Sequence, residues 1–122
     1  MLTIDKLSRV PIYEQIIEGI QKEILLGLLK PGEQLPSIRE LAVTISANPN
    51  TVQKSYIELE RRGVIATSSG IGCFVALDAP QILKMRLKSK LEHITAISSE
   101  LALGGIAEDE IVKAVKKAFE NQ

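Results

Sequence analysis

Two short helical segments joined by a tight turn constrain the fold of this 122-residue chain more than any other feature. The first is Leu35-Pro-Ser-Ile-Arg-Glu-Leu-Ala42, where Ser37 and Glu40 fit a capping box at a helix start. The second begins at Asn48, a good N-cap, with Pro49 at the first helical position, where its missing N–H costs nothing. Each segment has an apolar stripe at helical spacing: Ile38, Leu41, Ala42 and Ile45, then Val52, Ser55, Tyr56 and Leu59. This pattern predicts a helix-turn-helix.

A small hairpin is predicted after the second helix, which should end at Arg62-Gly63. Two short runs typical of strands, residues 64–67 and 73–76, flank Ser68-Ser-Gly-Ile-Gly72. The glycines at positions 70 and 72 permit a tight turn that can approach another backbone closely.

The remaining segments are predicted to be helices and one loop. A helix should run from Pro11 to Gly27, followed by a loop over residues 28–36. From Pro80 one helix should run to Gly104-Gly105, and a last helix should follow. The expected fold class is mainly α with a small β-wing, divided into a head of residues 9–77 and a two-helix tail of residues 78–122.

The tail has an apolar stripe that no other predicted domain covers. Dimerisation is the simplest way to bury it. The residues predicted for the dimer interface are Leu83, Leu87, Leu91, Ile94, Leu101, Ile111, Val115 and Phe119.

Several classes of protein are not indicated. The chain has no run of about 18 apolar residues and no signal-peptide pattern, so we expect a cytoplasmic protein without a membrane partner. Cys73 is the only cysteine and cannot form an internal disulfide. His93 has no partner at ligand spacing, and no catalytic arrangement is recognisable; we expect no metal, no cofactor and no enzymatic activity.

The charge balance argues against a strongly basic surface. The chain has 15 basic and 15 acidic residues, with eight of each up to Ala76 and seven of each beyond it. Duplex binders usually carry a basic footprint, because contacts to phosphates supply most of their sequence-independent affinity. If this chain binds DNA, its non-specific binding should therefore be weak.

The chain resembles the GntR family of bacterial winged-helix transcription regulators over about 65 residues. The matching segments are Pro11-Ile-Tyr-Glu-Gln-Ile16, Gly27, Pro31-Gly32, Leu35–Ala42, Asn48–Val52, Tyr56, Leu59-Glu60, Gly63-Val-Ile65 and Gly70–Val75. The Asn-Pro-Asn-Thr-Val run and the short tail are similar to those of the YtrA subfamily. The resemblance implies a homodimeric repressor that binds a pseudo-palindromic operator in double-stranded DNA, in a subfamily that often controls transporter genes.

The same resemblance implies DNA contacts from the helix-turn-helix and the wing. We expect them from Ser37, Arg39, Asn48, Asn50, Thr51, Gln53, Lys54, Gly70, Ile71 and Gly72. An arginine can grip a phosphate or guanine edge, and an asparagine can pair with adenine. Relatives often have arginines near Pro49 and Gln53 and a basic residue at Ile71, so this chain should depend less on guanine and wing contacts.

Alternatives to DNA contact remain open at several positions. Arg39 could pair with a neighbouring carboxylate, Asn48 could act only as a cap, and the hairpin could be purely structural. At the level of the whole chain, the neutral charge balance also suits a winged-helix module that binds protein. The inducing effector, if any, is not predicted, because about 45 residues after the wing are too few to enclose a small-molecule pocket alone.

Overall fold

Six helices and one two-stranded sheet make up the fold in a computed structural model that describes residues 2–122. The helices are α1 (Ile12–Leu25), α2 (Ile38–Ile45), α3 (Pro49–Arg61), α4 (Ala79–Lys88), α5 (Leu91–Leu103) and α6 (Glu108–Glu120). The strands are β1 (Ile65–Ser68) and β2 (Gly72–Val75). The predicted class, mainly α with a small β-wing, is confirmed, and the strands differ from the predicted runs by one residue.

The chain divides into two compact units, one up to Met85 and one from Arg86 to Gln122. The first unit contains residues 2–8 and most of α4, which the sequence analysis placed outside the head. No helix within residues 2–122 is long and apolar enough to cross a membrane.

An aliphatic core holds the first unit together. Its central members, Ile16, Val52 and Leu59, have no exposed surface. Each buried side chain of this size stabilises the fold by about 1.5–3 kcal/mol. The stripes predicted for α2 and α3 contribute Leu41, Ala42, Val52, Tyr56 and Leu59 to this core, and α1 contributes Ile16, Ile17, Ile20 and Ile24.

The prediction that Leu83 belongs to the dimer interface is wrong. It is 3% exposed and belongs to the core of the first unit, so it has no free surface to offer a second chain. The physical reason is that α4 packs its first two turns, including Ala79, on that core.

The predicted continuous helix after Pro80 is also wrong, because the chain turns at Ser89 and Lys90 between α4 and α5. The Ser89 hydroxyl donates a hydrogen bond to the Arg86 carbonyl oxygen at 2.6 Å. Local bonds of this kind compete with the helical ladder. The second unit therefore contains α5 and α6, joined through Gly104 and Gly105.

The wing sheet is antiparallel, with Ile65 opposite Val75 and Ser68 opposite Gly72. The segment predicted as a loop before α2 extends this sheet: the Leu35 amide donates to the Cys73 carbonyl, and Gln34 forms a bridge with Phe74. The Gln34 side chain also donates to the Ile71 carbonyl at 3.1 Å. A side chain at position 72 would collide with Gln34, whose Nε2 lies 2.5 Å from where its Cβ would be. Gly72 is favoured by its positive φ of 140°, and a side chain there would also have to displace the end of the Gln34 side chain.

The turn between α2 and α3 contains a strained residue, Ser46, which has φ 53° and ψ 48°. For a residue other than glycine, this left-handed conformation costs roughly 1–2 kcal/mol. We expect Ser46→Gly to raise the free energy of unfolding by a few tenths to about 1 kcal/mol, the gain being reduced by the greater freedom of glycine in the unfolded chain. Urea denaturation measures it. Ser46→Ala, which keeps the strain, should show no gain; equal stabilisation by both variants would contradict this explanation.

Candidate nucleic-acid interface

The start of α2 is fixed by a side-chain cap. The Ser37 hydroxyl accepts a hydrogen bond from the Glu40 amide at 3.1 Å, the hydroxyl half of the predicted capping box. This bond satisfies one of the amides that a helix start leaves unpaired. Ser37 itself is exposed, and the cap sets where the next residues of α2 point.

Arg39 lies in the first turn of α2 and is exposed. Within residues 2–122 it takes part in no hydrogen bond or salt bridge, so the alternative of a carboxylate partner is not supported. A guanidinium held on a helix with its five donors unused can bind a phosphate or a guanine edge.

The start of α3 is capped by Asn48, whose side-chain oxygen accepts from the Asn50 amide at 2.8 Å. Asn48 thus has a structural role whether or not it meets DNA. The carboxamide of Asn50 is left exposed, because only its backbone takes part in the cap. Thr51 is half-buried and Gln53 is exposed on the next turn.

A buried hydrogen bond positions α3. The Tyr56 hydroxyl donates to the Pro36 carbonyl at 2.7 Å, which ties the middle of α3 to the residue just before the α2 cap. Burial raises the pKa of the Tyr56 hydroxyl, so it stays a neutral donor at physiological pH. Ser55 ties the other side of α3 to α1, because its hydroxyl is 3.0 Å from the Tyr13 carbonyl.

Lys54 is held by an aromatic ring that the sequence analysis did not identify as its partner. Its ammonium lies 4.1 Å from the centroid of the Tyr13 ring. A cation over a ring face is attracted by roughly 0.5–1 kcal/mol at an exposed site. The lysine is exposed and chemically able to reach a phosphate, but its resting position is on the α1 side of α3.

One carboxylate near the end of α3, that of Glu58, pairs with both Arg61 and Arg62. Glu58 accepts hydrogen bonds from Arg61 and Arg62, each with a contact of 2.7 Å. These bonds, with Arg61 as the larger contribution, lower the pKa of the Glu58 carboxyl to about 2. A depressed pKa means that the arrangement persists at neutral pH and is lost only as the pH falls toward 2. The i,i+3 and i,i+4 spacing of these residues is a sequence signal for this arrangement.

The wing tip carries an exposed apolar residue. Gly70 has φ 77° and shapes the turn, while Ile71 is 66% exposed. The three predicted wing residues, Gly70, Ile71 and Gly72, lie together at the end of one hairpin, which the Gln34 side chain braces. The wing offers backbone groups and one aliphatic side chain rather than a charge.

All ten predicted contact residues belong to the first unit, on α2, the start and outer side of α3, and the wing. Lys6, which precedes α1, is not among the predicted contact residues, although it contacts the helix-turn-helix. Its ammonium donates to the carbonyl of Ser46, in the turn between α2 and α3, at 2.7 Å. The two residues are 40 positions apart, so no local pattern could have revealed this contact.

The sequence of this chain matches a family of known regulatory proteins. Residues 12–75 match the family model described as bacterial regulatory proteins, gntR family. The chain is 52% identical over 83 residues to the HTH-type transcriptional repressor YtrA of Bacillus subtilis, covering 68% of this chain and 64% of that repressor.

Solved structures share the architecture. A GntR family transcriptional regulator from Listeria monocytogenes aligns with a TM-score of 0.75 and 34% identity, covering 93% of this chain and 98% of its own. The DNA-binding domain of AraR in complex with operator ORX1 aligns with a TM-score of 0.55 and 30% identity, covering 62% of this chain and 93% of that domain.

Proposed function

Because the chain belongs to the GntR family of bacterial regulatory proteins, we propose that it binds an operator in double-stranded DNA as a homodimer and represses transcription from the promoter that it occupies. The observation that carries this proposal is the start of α3, where the Asn48 cap leaves the Asn50 side chain exposed in the position from which a recognition helix reads bases. Arg39, exposed without a partner among residues 2–122, supplies the matching contact from α2.

The DNA-contacting residues that we propose divide into two kinds. Asn50 and Gln53 are neutral and suit base edges, whereas Arg39 and Lys54 suit a phosphate or guanine. The wing adds close backbone approach at Gly70 without a charge. We therefore propose an operator that is read mainly by hydrogen bonds of amide side chains.

Dimerisation is proposed from the second unit. None of the residues from 86 to 122 is buried, although α5 and α6 carry many large apolar side chains. Two helices that expose apolar stripes along their whole length gain from pairing with a second copy. The proposed interface residues are Leu87, Leu91, Ile94, Leu101, Ile111, Val115 and Phe119.

Two-fold symmetry predicts the form of the operator. Each protomer presents one α3, so the two half-sites should be inverted repeats whose centres are separated by about one helical turn or a multiple of it. The expectation that transporter genes lie downstream rests on the resemblance to the YtrA subfamily.

Selection of bound duplexes from a random pool tests the proposal. We expect the full chain to enrich one inverted repeat, which then competes with random DNA in a mobility-shift assay. Failure to enrich any sequence would remove the proposal and favour the winged-helix module that binds protein, for which the neutral charge balance is the best support.

The salt dependence of operator binding should be shallow. Of the four cations on α2, α3 and the C-cap of α3, Arg61 and Arg62 are bound to Glu58 and Lys54 lies over Tyr13. We expect log K to fall with log salt with a slope well below the value of about −10 found for a strongly basic repressor. Fluorescence anisotropy at several salt concentrations gives the slope, and a value near −10 would contradict this charge placement.

A matched pair of variants tests whether the pairing of Glu58 with the arginines causes the shallow salt dependence. Glu58→Gln should release Arg61, whereas Arg62 keeps its hydrogen bond to the Gln21 side chain at 3.1 Å. The slope should then steepen by up to about 0.9 for a phosphate gained. Glu60→Gln removes the same charge from the same helix, but the Glu60 carboxylate accepts from the Thr67 hydroxyl and, among residues 2–122, forms a salt bridge with neither arginine. It should leave the slope nearly unchanged.

A further inference from the structure

A partly open cavity lies in the first unit, next to the helix-turn-helix. Its volume is about 260 Å³. That exceeds a cavity of about 150 Å³ that takes up benzene and is slightly below the range of about 300–1,000 Å³ typical of drug-sized ligands. Six aliphatic side chains form most of the wall: Leu2, Ile20, Leu29, Leu35, Leu41 and Ile45.

The wall cannot close easily on the empty space, because its parts come from five different segments. They are the N-terminal residues, α1, the segment between α1 and α2, α2 itself, and α3, which contributes the Tyr56 ring. The lining of the cavity combines buried side chains, Ile20, Leu35 and Leu41, with the exposed residues Pro36 and Thr44. A concave, mostly apolar site of this kind suits a small ligand, which can enter from the solvent.

The N-terminal segment that supplies Leu2 is firmly attached to the first unit. The Gln15 side chain accepts from the Asp5 amide and donates to the carbonyls of Asp5 and Val10, all at 2.8 Å. The end of the Leu2 side chain occupies the place where a Cβ on residue 19 would be, so Leu2 packs directly on the glycine in the middle of α1. A glycine inside a helix costs about 1 kcal/mol relative to alanine, and here Leu2 fills the space that the missing side chain leaves.

The same segment contacts the turn of the helix-turn-helix. Lys6 donates to the carbonyl of Ser46, the residue in the left-handed conformation. The cavity wall also includes Leu41 and Ile45 of α2. This helix ends at Ile45, just before that turn. Whatever fills the cavity therefore contacts both the N-terminal segment and the helix that precedes the recognition helix.

The chemistry of the wall defines the ligand. The Tyr56 hydroxyl is used by Pro36 and the Thr44 hydroxyl by the Glu40 carbonyl, so neither is available without breaking a bond. The occupant that fits is a small neutral apolar molecule, of the size of a substituted benzene ring or a short branched alkyl chain.

We propose that this cavity is the effector site of the protein, that it binds a small neutral apolar molecule, and that its occupancy strengthens operator binding. A ligand stabilises the conformation whose cavity it fills. Here that conformation has the N-terminal segment docked, Lys6 on the Ser46 carbonyl and α2 in place. The regulatory part rests on the proposed operator binding, whereas the binding part does not.

Toluene is a suitable probe, with benzoate as a charged control of similar size. In an amide NMR titration of the full chain without DNA, we expect toluene to shift the signals of Ile20, Leu41 and Ile45 in a saturable manner, and benzoate to leave them unchanged. Absence of saturable shifts with toluene, or equal shifts with benzoate, would overturn the site.

Two variants are designed to fill the cavity with a larger side chain, each from a different segment of its wall. Thr44→Phe, at an exposed position of the wall, and Leu29→Trp, on the loop before α2, should each abolish the toluene shifts. Leu2→Ala removes part of the wall and should weaken toluene binding severalfold. Circular dichroism identifies any variant that fails to fold, and binding that survives in a folded filling variant would contradict the location.

Operator affinity with and without toluene tests the regulatory part. We expect toluene to tighten operator binding severalfold in the wild type and not in Thr44→Phe. Since coupling between two ligands is reciprocal, the operator should tighten toluene binding by the same factor. Toluene binding with unchanged operator affinity would overturn the regulatory role alone, and a protein that binds toluene but no operator would overturn the proposed function instead.

Discussion

Leu91→Glu is expected to convert the protein to monomers and to lower its operator affinity by about a hundredfold or more. Leu91 is 57% exposed at the start of α5, and Ile94, one turn further along the same helix, is 49% exposed. Burial of such a side chain against a second copy is worth about 1.5–3 kcal/mol per protomer, and a carboxylate there would also have to lose its water. Two linked half-sites bind about 10²–10⁴ times more tightly than either alone, an advantage that a monomer lacks.

Sedimentation and operator titration together measure this effect. Ala96→Glu is the matched control, because it introduces the same charge on α5 about 140° around the helix from Leu91. It should leave the dimer intact. The first unit keeps its own core in either variant, so circular dichroism should show folded protein. A wild type that is monomeric at micromolar concentration, or a dimeric Leu91→Glu variant, would disprove this role of the second unit.

The second large effect is expected from Arg39→Ala and Asn50→Ala, which should each abolish specific operator binding. A good bidentate contact to a base discriminates by about 1–3 kcal/mol, and a symmetric dimer loses the contact twice. Both side chains are exposed and outside the core, so the free energy of unfolding should change by less than about 0.5 kcal/mol.

Two control variants distinguish a loss of DNA recognition from a loss of stability and from the mere loss of a positive charge. Asn48→Ala removes the cap of α3 and should cost about 1 kcal/mol of stability, which Asn50→Ala should not. Lys22→Ala removes a cation from the last turn of α1 and should leave operator affinity nearly unchanged. Normal operator affinity in both Arg39→Ala and Asn50→Ala would show that another surface reads the DNA.

The helix boundaries of the first unit were predictable because their signals are local. Ser37 and Asn48 act as caps in the structure, and Gly27 and Gly63 follow the ends of α1 and α3 in left-handed conformations. The burial of one face of each helix follows from spacing alone. The exposed carboxamide of Asn50 follows from the same spacing, which is why much of the candidate interface could be identified from the sequence.

The remaining features depend on contacts between distant residues or on competing local bonds. The apolar periodicity continues through Ser89 and Lys90, so it gave no sign of the turn that a serine hydroxyl stabilises there. The docking of residues 2–10 depends on a glutamine ten residues away, and such a bond has no sequence pattern. The pairing of Glu58 with two arginines, in contrast, follows from their i,i+3 and i,i+4 spacing and can be predicted from the sequence.

That pairing has a consequence for how the protein tolerates changes in the ionic content of a cell. With a slope of about −4, a fourfold rise in salt would lower the binding constant by roughly 250-fold, whereas a slope of −10 would lower it by about a millionfold. Arg61 and Arg62, held by Glu58, would thus make operator occupancy less sensitive to osmotic stress. Weak attraction to random sequence also leaves more protein free of the bulk chromosome, so fewer copies per cell suffice to occupy one operator.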